Sequence, residues 1–207
     1  MIPTSRTSCL APLAAGVAFA LLAGCGPLIQ VGGNAPAPAA LLTLRATAPG
    51  GADQPRGSAT LAIPTPVVPG VLQTLRVPVT TRDTEIAYLK DAAWVEQPNR
   101  LFLRLLSDVV TAKTGIVVLE GRQLDTPPQR TLAGQLLEFG LDVRDPAKPQ
   151  VVVRFDATLT TRDGKFLGAR RFDATRTVGA QTPAAVGAAL NAAANQVAGD
   201  IATWVAQ

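Results

Sequence analysis

Residues 154–175 read RFDATLTTRDGKFLGARRFDAT. The pentapeptide RFDAT stands at 154–158 and again at 171–175, on either side of Asp163-Gly164. Asp-Gly between two alternating apolar runs is a strong two-residue hairpin signal. A turn centred there pairs positions whose numbers sum to 327. Phe155 then faces Phe172, Arg154 faces Asp173 and Asp156 faces Arg171. A slip of one residue would oppose Phe155 to Arg171 and lose all three pairs. The repeat therefore reads as an aromatic pair flanked by a wet-face charge ladder, worth about 0.2–1 kcal/mol per cross-strand pair.

The period of two extends upstream. Leu137, Phe139, Leu141 and Val143 alternate with Glu138, Gly140, Asp142 and Arg144, and Val151, Val153, Phe155, Ala157 and Leu159 continue the pattern. This predicts a three-stranded antiparallel meander with one buried and one wet face. Shorter strands are expected at ALLTLRA (40–46), SATLAI (58–63), LQTLRVPV (72–79), EIAYLK (85–90) and IVVLE (116–120). The prolines of PTPVVPGV (64–71) remove ladder donors and exclude a central strand there.

Two segments change to helical period. Gln97-Pro98 suits the start of a helix, Leu101, Leu105 and Val109 recur on one face beside Phe102 and Leu106, and Gly115 suits its end. A helix is expected over 97–114. In the last segment Thr182 caps and Pro183 starts a helix, with Val186, Leu190, Val197, Ile201 and Val205 on one stripe and Trp204 beside it. The fold class expected is α+β: a two-layer domain, mainly antiparallel sheet, with two principal helices packed on one face.

The N-terminus has a different character. Arg6 precedes an uncharged apolar run from Leu10 to Leu22, then small residues, then Cys25. This is the pattern of a secretory signal, too short to span a bilayer, which takes about 20 residues. Leu22-Ala23-Gly24-Cys25 resembles the bacterial lipobox. That resemblance implies a covalent diacylglycerol and an N-acyl chain on Cys25, and two or more chains give stable anchoring. Cys9 leaves with the signal, so the mature chain keeps Cys25 alone. Gly26 follows where an Asp would mark inner-membrane retention, which implies the outer membrane, periplasmic face. The expected organisation is a signal peptide at 1–24, the lipidated Cys and a Gly/Pro/Ala-rich flexible linker at 25–38, and one domain at 39–207.

Composition removes most chemistries. The formal charge of +4 is spread along the chain and aromatics are 4% of residues, which argues against nucleic-acid binding. There is no His, which excludes Ser-His and Cys-His catalysis and His-ligated metals. No phosphate-binding glycine motif is present. Carboxylate-pair chemistry is all that remains, and no pair stands out. The expectation is no catalytic residue, no metal and no cofactor beyond the covalent lipid.

Four segments stand out within this order of elements: Leu41-Leu42-Thr43-Leu44, LRVPVTTRDTEIAYLKDAAW (Leu75 to Trp94), Arg100-Leu101 onward, and Ala189-Leu190-Asn191 through Trp204. Together they resemble the ABC-type transport auxiliary lipoproteins, also called PqiC-like lipoproteins. The chain departs from the family pattern in lacking the aromatic pair of the first strand and in its proline-rich middle. The resemblance implies a non-catalytic accessory of an Mce-type system that moves lipids or hydrophobic compounds. Its partners would be an Mce-domain periplasmic protein with its permease and ATPase, and self-association is compatible with that role. Tyr88, Trp94 and Arg100 lie on the family-like segment and are the candidate partner-binding residues. The rival reading is another outer-membrane lipoprotein adaptor, a TolB-N-like regulator of a cell-wall enzyme.

Overall fold

A computed structural model describes residues 37–47, 58–119 and 127–207. The signal, Cys25 and most of the linker lie outside the described residues. The elements in chain order are β1 (Ala40–Leu42), β2 (Thr60–Ala62), a 3-10 turn (Gly70–Leu72), β3 (Arg76–Arg82), β4 (Glu85–Trp94), α1 (Pro98–Thr114), β5 (Val117–Leu119), β6 (Arg130–Asp142), β7 (Gln150–Thr161), β8 (Phe166–Thr177) and α2 (Pro183–Val205). The α+β, two-layer expectation holds. The sheet, however, is mixed: β6–β7, β7–β8 and β3–β4 are antiparallel, while β1–β4, β2–β5, β2–β6 and β3–β6 are short parallel joints.

β6 organises the sheet because one strand of 13 residues meets three others. One edge pairs with β7 along its whole length. The other edge is shared: β2 pairs at Arg130 and Thr131, β3 at Leu141 and Asp142. Between them the proline-rich segment makes a single bridge at Val67, whose N–H donates to Gly134 O at 3.1 Å and whose carbonyl accepts from Leu136 N–H at 2.9 Å. Prolines 64, 66 and 69 have no N–H to offer, so the segment crosses without becoming a strand.

The repeat behaves as its sequence demands. Arg154 pairs with Asp173, Phe155 with Phe172 and Asp156 with Arg171 in the backbone register. Phe155 and Phe172 are buried. The turn itself differs from the two-residue form. Gly164 N–H donates to Thr161 O at 3.0 Å and Thr161 N–H to Lys165 O at 2.9 Å, which encloses three residues. Gly164 alone there takes a positive φ, 79°, whereas a two-residue type I′ turn needs positive φ at both centres. Leu167 forms a compensating bulge that returns the register to that of the repeat. Arg154 also differs: its ion pair is with Glu138 of β6 and not with Asp173.

A second bulge corrects the alternation expected in β6. Leu136 pairs opposite Phe155 and Glu138 opposite Arg154, leaving Leu137 extra. Leu132 and Leu136 are buried before the bulge, Phe139 and Leu141 after it. Leu137 was expected in the core, but it is the bulged residue and stands half-buried.

Both helices form as their caps direct. Gln97 precedes Pro98, and Gly115 closes α1 at φ 68°. Thr182 Oγ1 accepts from Ala185 N–H, and every residue of the expected α2 stripe is fully buried. The chain after β1 is tied along α2: Arg45 N–H donates to Asn191 Oδ1 and Thr47 N–H to Asn195 Oδ1, both at 2.8 Å. Arg130 Nη1 donates to Val205 O at 2.8 Å and so satisfies a carbonyl at the C-terminal end of α2.

Phe155 occupies the centre of the core, with its ring 5.3 Å from that of Phe102 on α1. Gly134 makes room for it: a Cβ there would lie 2.2 Å from Phe155 Cζ and 2.6 Å from Asp156 O. Phe155→Ala should cost about 3–5 kcal/mol, and Gly134→Ala about 1–3 kcal/mol by overpacking. Asp156→Ala, on the exposed face, should cost about 0–1 kcal/mol. Urea denaturation of the three variants checks this order.

Candidate functional site

The helices cover one face of the sheet. The other face carries the side chains that alternate with the core: Val152, Arg154 and Asp156 on β7, Glu138 and Gly140 on β6, and Arg76 and Pro78 on β3. Its two halves differ in chemistry. Over β6, β7 and β8 it is a charge ladder. Arg154 pairs with Glu138, and Arg171 holds Asp156 in a two-point pair, Nε to Oδ1 and Nη2 to Oδ2, both at 2.7 Å. The Arg171 hydrogen bond lowers the Asp156 pKa, and Asp156 in turn raises that of Arg171.

Towards β3 and β4 apolar side chains join the polar ones on this face. A groove of about 280 Å³ is lined by Val71, Pro78, Ile86, Leu137, Gly140 and Val152 among others. Ile86 is exposed, as are Leu41, Leu75 and Val95 around the β1 side of the sheet. One end of the groove is polar. Arg144 donates from Nε and Nη2 to the Asp142 carboxylate at 3.0 and 2.7 Å, and from Nη1 to Asp83 Oδ1 at 2.9 Å. Asp142 was expected on the wet face, and this clamp accounts for its burial. The Arg144 hydrogen bonds hold its carboxyl below the usual carboxylate range, and the pair raises Arg144. A carboxylate so engaged stays ionised at neutral pH and is no general acid.

The three residues singled out in sequence do not converge. They share no hydrogen bond, ion pair or ring contact among the described residues. Tyr88 is half-buried, opposite Pro78, with the Arg76 guanidinium 3.8 Å from its ring centre. Arg100 is exposed on the first turn of α1, with Nη1 3.7 Å from Glu96 Oε1, and Glu96 also pairs with Arg104. Trp94 is 0% exposed, its ring 5.2 Å from that of Phe139. Trp94 is therefore a core residue and presents nothing to a partner. Its indole N–H has no partner among the described residues, so packing alone fixes the ring.

The separation of Tyr88 from Trp94 has a backbone cause. In a regular strand residues 88 and 94 would share a face. From Arg76 to Pro78 β3 advances two residues, while β4 advances five, from Ala93 back to Tyr88. The three extra residues reverse the facing, and Asp91 turns the chain with φ 56°, rare for a residue with a side chain. Sequence reading missed this bulge, the Asp142–Arg144–Asp83 clamp and the two asparagines of α2. The adjacent Leu136-Leu137, which break strict alternation, were the one visible signal of a bulge.

A family model described as "ABC-type transport auxiliary lipoprotein component" matches residues 42–202, from the last residue of β1 to near the end of α2. This chain belongs to that family. Among solved structures it resembles protein XCC0632 from Xanthomonas campestris, at 20% identity and a TM-score of 0.68, covering 80% of this chain and 92% of that one. It also resembles a crystal structure of an uncharacterized protein at 16% identity and a TM-score of 0.65, covering 80% and 97%. At these identities the likeness is one of fold. No curated protein matches the chain in sequence.

The clamp gives a pH prediction. Because the folded Asp142 pKa is lowered from 3.8, its contribution to stability is complete well above 3.8 and is lost as pH falls below that value and through the lowered folded pKa. Asp142→Asn should be less stable than the parent chain at pH 7, and the difference should shrink below about pH 4. Denaturant midpoints measured from pH 7 to pH 3 check it.

Proposed function

We propose that this protein is a lipid-anchored, non-catalytic accessory of an Mce-type ABC transport system for lipids or other hydrophobic compounds. Cys25 carries the diacylglycerol and N-acyl lipid and holds the domain at the periplasmic face of the outer membrane. The partner is an Mce-domain protein that crosses the periplasm from the permease and ATPase. The observation that carries this reading is the coincidence of two signals: the family match covers nearly the whole folded domain, and Leu22-Ala23-Gly24-Cys25 stands before it. The site chemistry is in keeping with binding. The charged pairs of the open face are mutually neutralised, and beside them lies a groove with both apolar and polar lining. Tyr88 and Arg100 remain candidate partner contacts on this reading.

Three measurements test it. Cys25→Ser should abolish palmitate labelling and leave the precursor unprocessed by the lipoprotein peptidase; normal labelling of that variant would overturn the anchor. Deleting the gene should sensitise the envelope to detergents as deletion of the partner permease does. A purified domain that turned over a lipid or cell-wall substrate at an enzymic rate would refute the accessory role.

A further inference from the structure

Among the described residues β8 pairs with β7 alone, so one backbone edge of a 12-residue strand is free. The direction of its groups can be read from the far end of the ladder. Val178 N–H donates to Pro149 O at 2.9 Å, towards β7. Backbone groups along an antiparallel ladder alternate between neighbours. Gly168, Arg170, Phe172, Ala174 and Arg176 therefore turn their N–H and C=O groups inward, and Ala169, Arg171, Asp173 and Thr175 turn theirs outward.

The helix side of this edge is shaped as well. Trp204 of α2 lies 5.7 Å from the Phe172 ring, and its Cζ2 would be 3.3 Å from a Cβ on Gly168. A cavity of about 340 Å³ opens there, lined by Phe172, Trp204, Arg170, Asp200 and Thr203 among others. Arg170 stacks 5.1 Å from the Phe172 ring centre, and Arg176 donates to Gln196 and to Thr175 O. Neither cation has an ion-pair partner among the described residues, although Asp200 lines the same cavity. At the turn end of the edge Phe166 and Leu167 are 62% and 47% exposed.

We infer that β8 receives an extended segment of a partner protein as a further strand. Its carboxylates meet Arg170 and Arg176, six residues apart, and its apolar side chains between them lie against Phe172 and Trp204. Main-chain bonds supply affinity and alternate side chains supply specificity in such additions. A second copy does not fit: the helix-side residues of β8 are Gly168, Arg170, Phe172, Ala174 and Arg176, so no register of a second β8 brings a carboxylate to these cations, and pairing about Asp173 would set Arg170 opposite Arg176, where like charges repel. The chain's own segment between Cys25 and Ala37 does not fit either. It contains no carboxylate, and it joins at β1, the sheet edge opposite β8.

This inference rests on the accessory role proposed above, and the test separates the two. The full-length anchored protein carries photoreactive benzoylphenylalanine at Ala169, with and without Thr175→Pro, and at Thr175, with and without Ala169→Pro. It is expressed with the ATPase, permease and Mce-domain genes. Proline at an outward-facing edge position removes a solvent-directed N–H and is tolerated, so melting of the variants should be unchanged. The expected result is an adduct with an acidic stretch of the Mce-domain protein, reduced about tenfold by the proline through the lost main-chain bonds. A proline-sensitive adduct with an acidic stretch of some other envelope protein would support the edge and overturn the Mce reading. Adducts that ignore the proline, adducts only with a second copy or with residues 26–36, or no adduct at all would overturn the edge proposal.

Discussion

The domain is arranged around the side chain that Gly134 lacks. Phe155 fills that space from the neighbouring strand, and a Cβ on Gly134 would overlap it at 2.2 Å. The same ring meets Phe102 of α1 and lies directly across the ladder from Phe172 of β8. One aromatic thus fixes the β6–β7 register, the β7–β8 register and the seat of α1. Close-packed interiors feel a change of a single methylene, so this contact also sets how closely the helix layer can approach the sheet. β6 then extends the constraint sideways, since both remaining groups of strands dock along its free edge.

The parts legible in the sequence were those governed by local rules. The repeat specified its own register because a slip of one residue would have placed Arg opposite Phe155. The helices were legible because Pro98 and Pro183 start them and a stripe of apolar residues continues for several turns. The turn at Asp163-Gly164 was placed correctly but read as two residues where it encloses three, since that choice depends on the φ of Asp163, which a dipeptide does not fix. The parallel joints of β2 and β3 to β6 were not legible at all. They rest on two residue pairs each, and no periodicity encodes them.

The candidate site was less legible than the fold, and for one physical reason. Facing in a strand is counted by twos, and a bulge of an odd number of residues inverts everything beyond it. Three such residues near Asp91 send Trp94 into the core while leaving Tyr88 beneath Arg76 on the other face. One residue at Leu137 does the same in β6. Motif matching over Leu75–Trp94 preserves residue identity across the bulge but carries no information on which side each residue faces. It therefore grouped Tyr88, Trp94 and Arg100, which the backbone separates.

The helix layer and the bulges together decide what surface remains for a partner. Both helices protect one face, so recognition is left to the open face and to the edges of the sheet. On the open face, Arg154, Arg171 and Arg144 are each neutralised by carboxylates of the same domain. The short edge strands β1 and β5, three residues each, offer few main-chain groups. β8 differs in both respects. It is long, and Arg170 and Arg176 have no ion-pair partner among the described residues, beside the half-buried indole of Trp204. Exposed edges are normally blunted by charge, a bulge or proline. Here the bulge at Leu167 protects only the turn end, and cations of one sign discourage pairing between copies while leaving the strand open to an acidic one. The charge that guards this edge against self-association is thus the same charge that would select its partner.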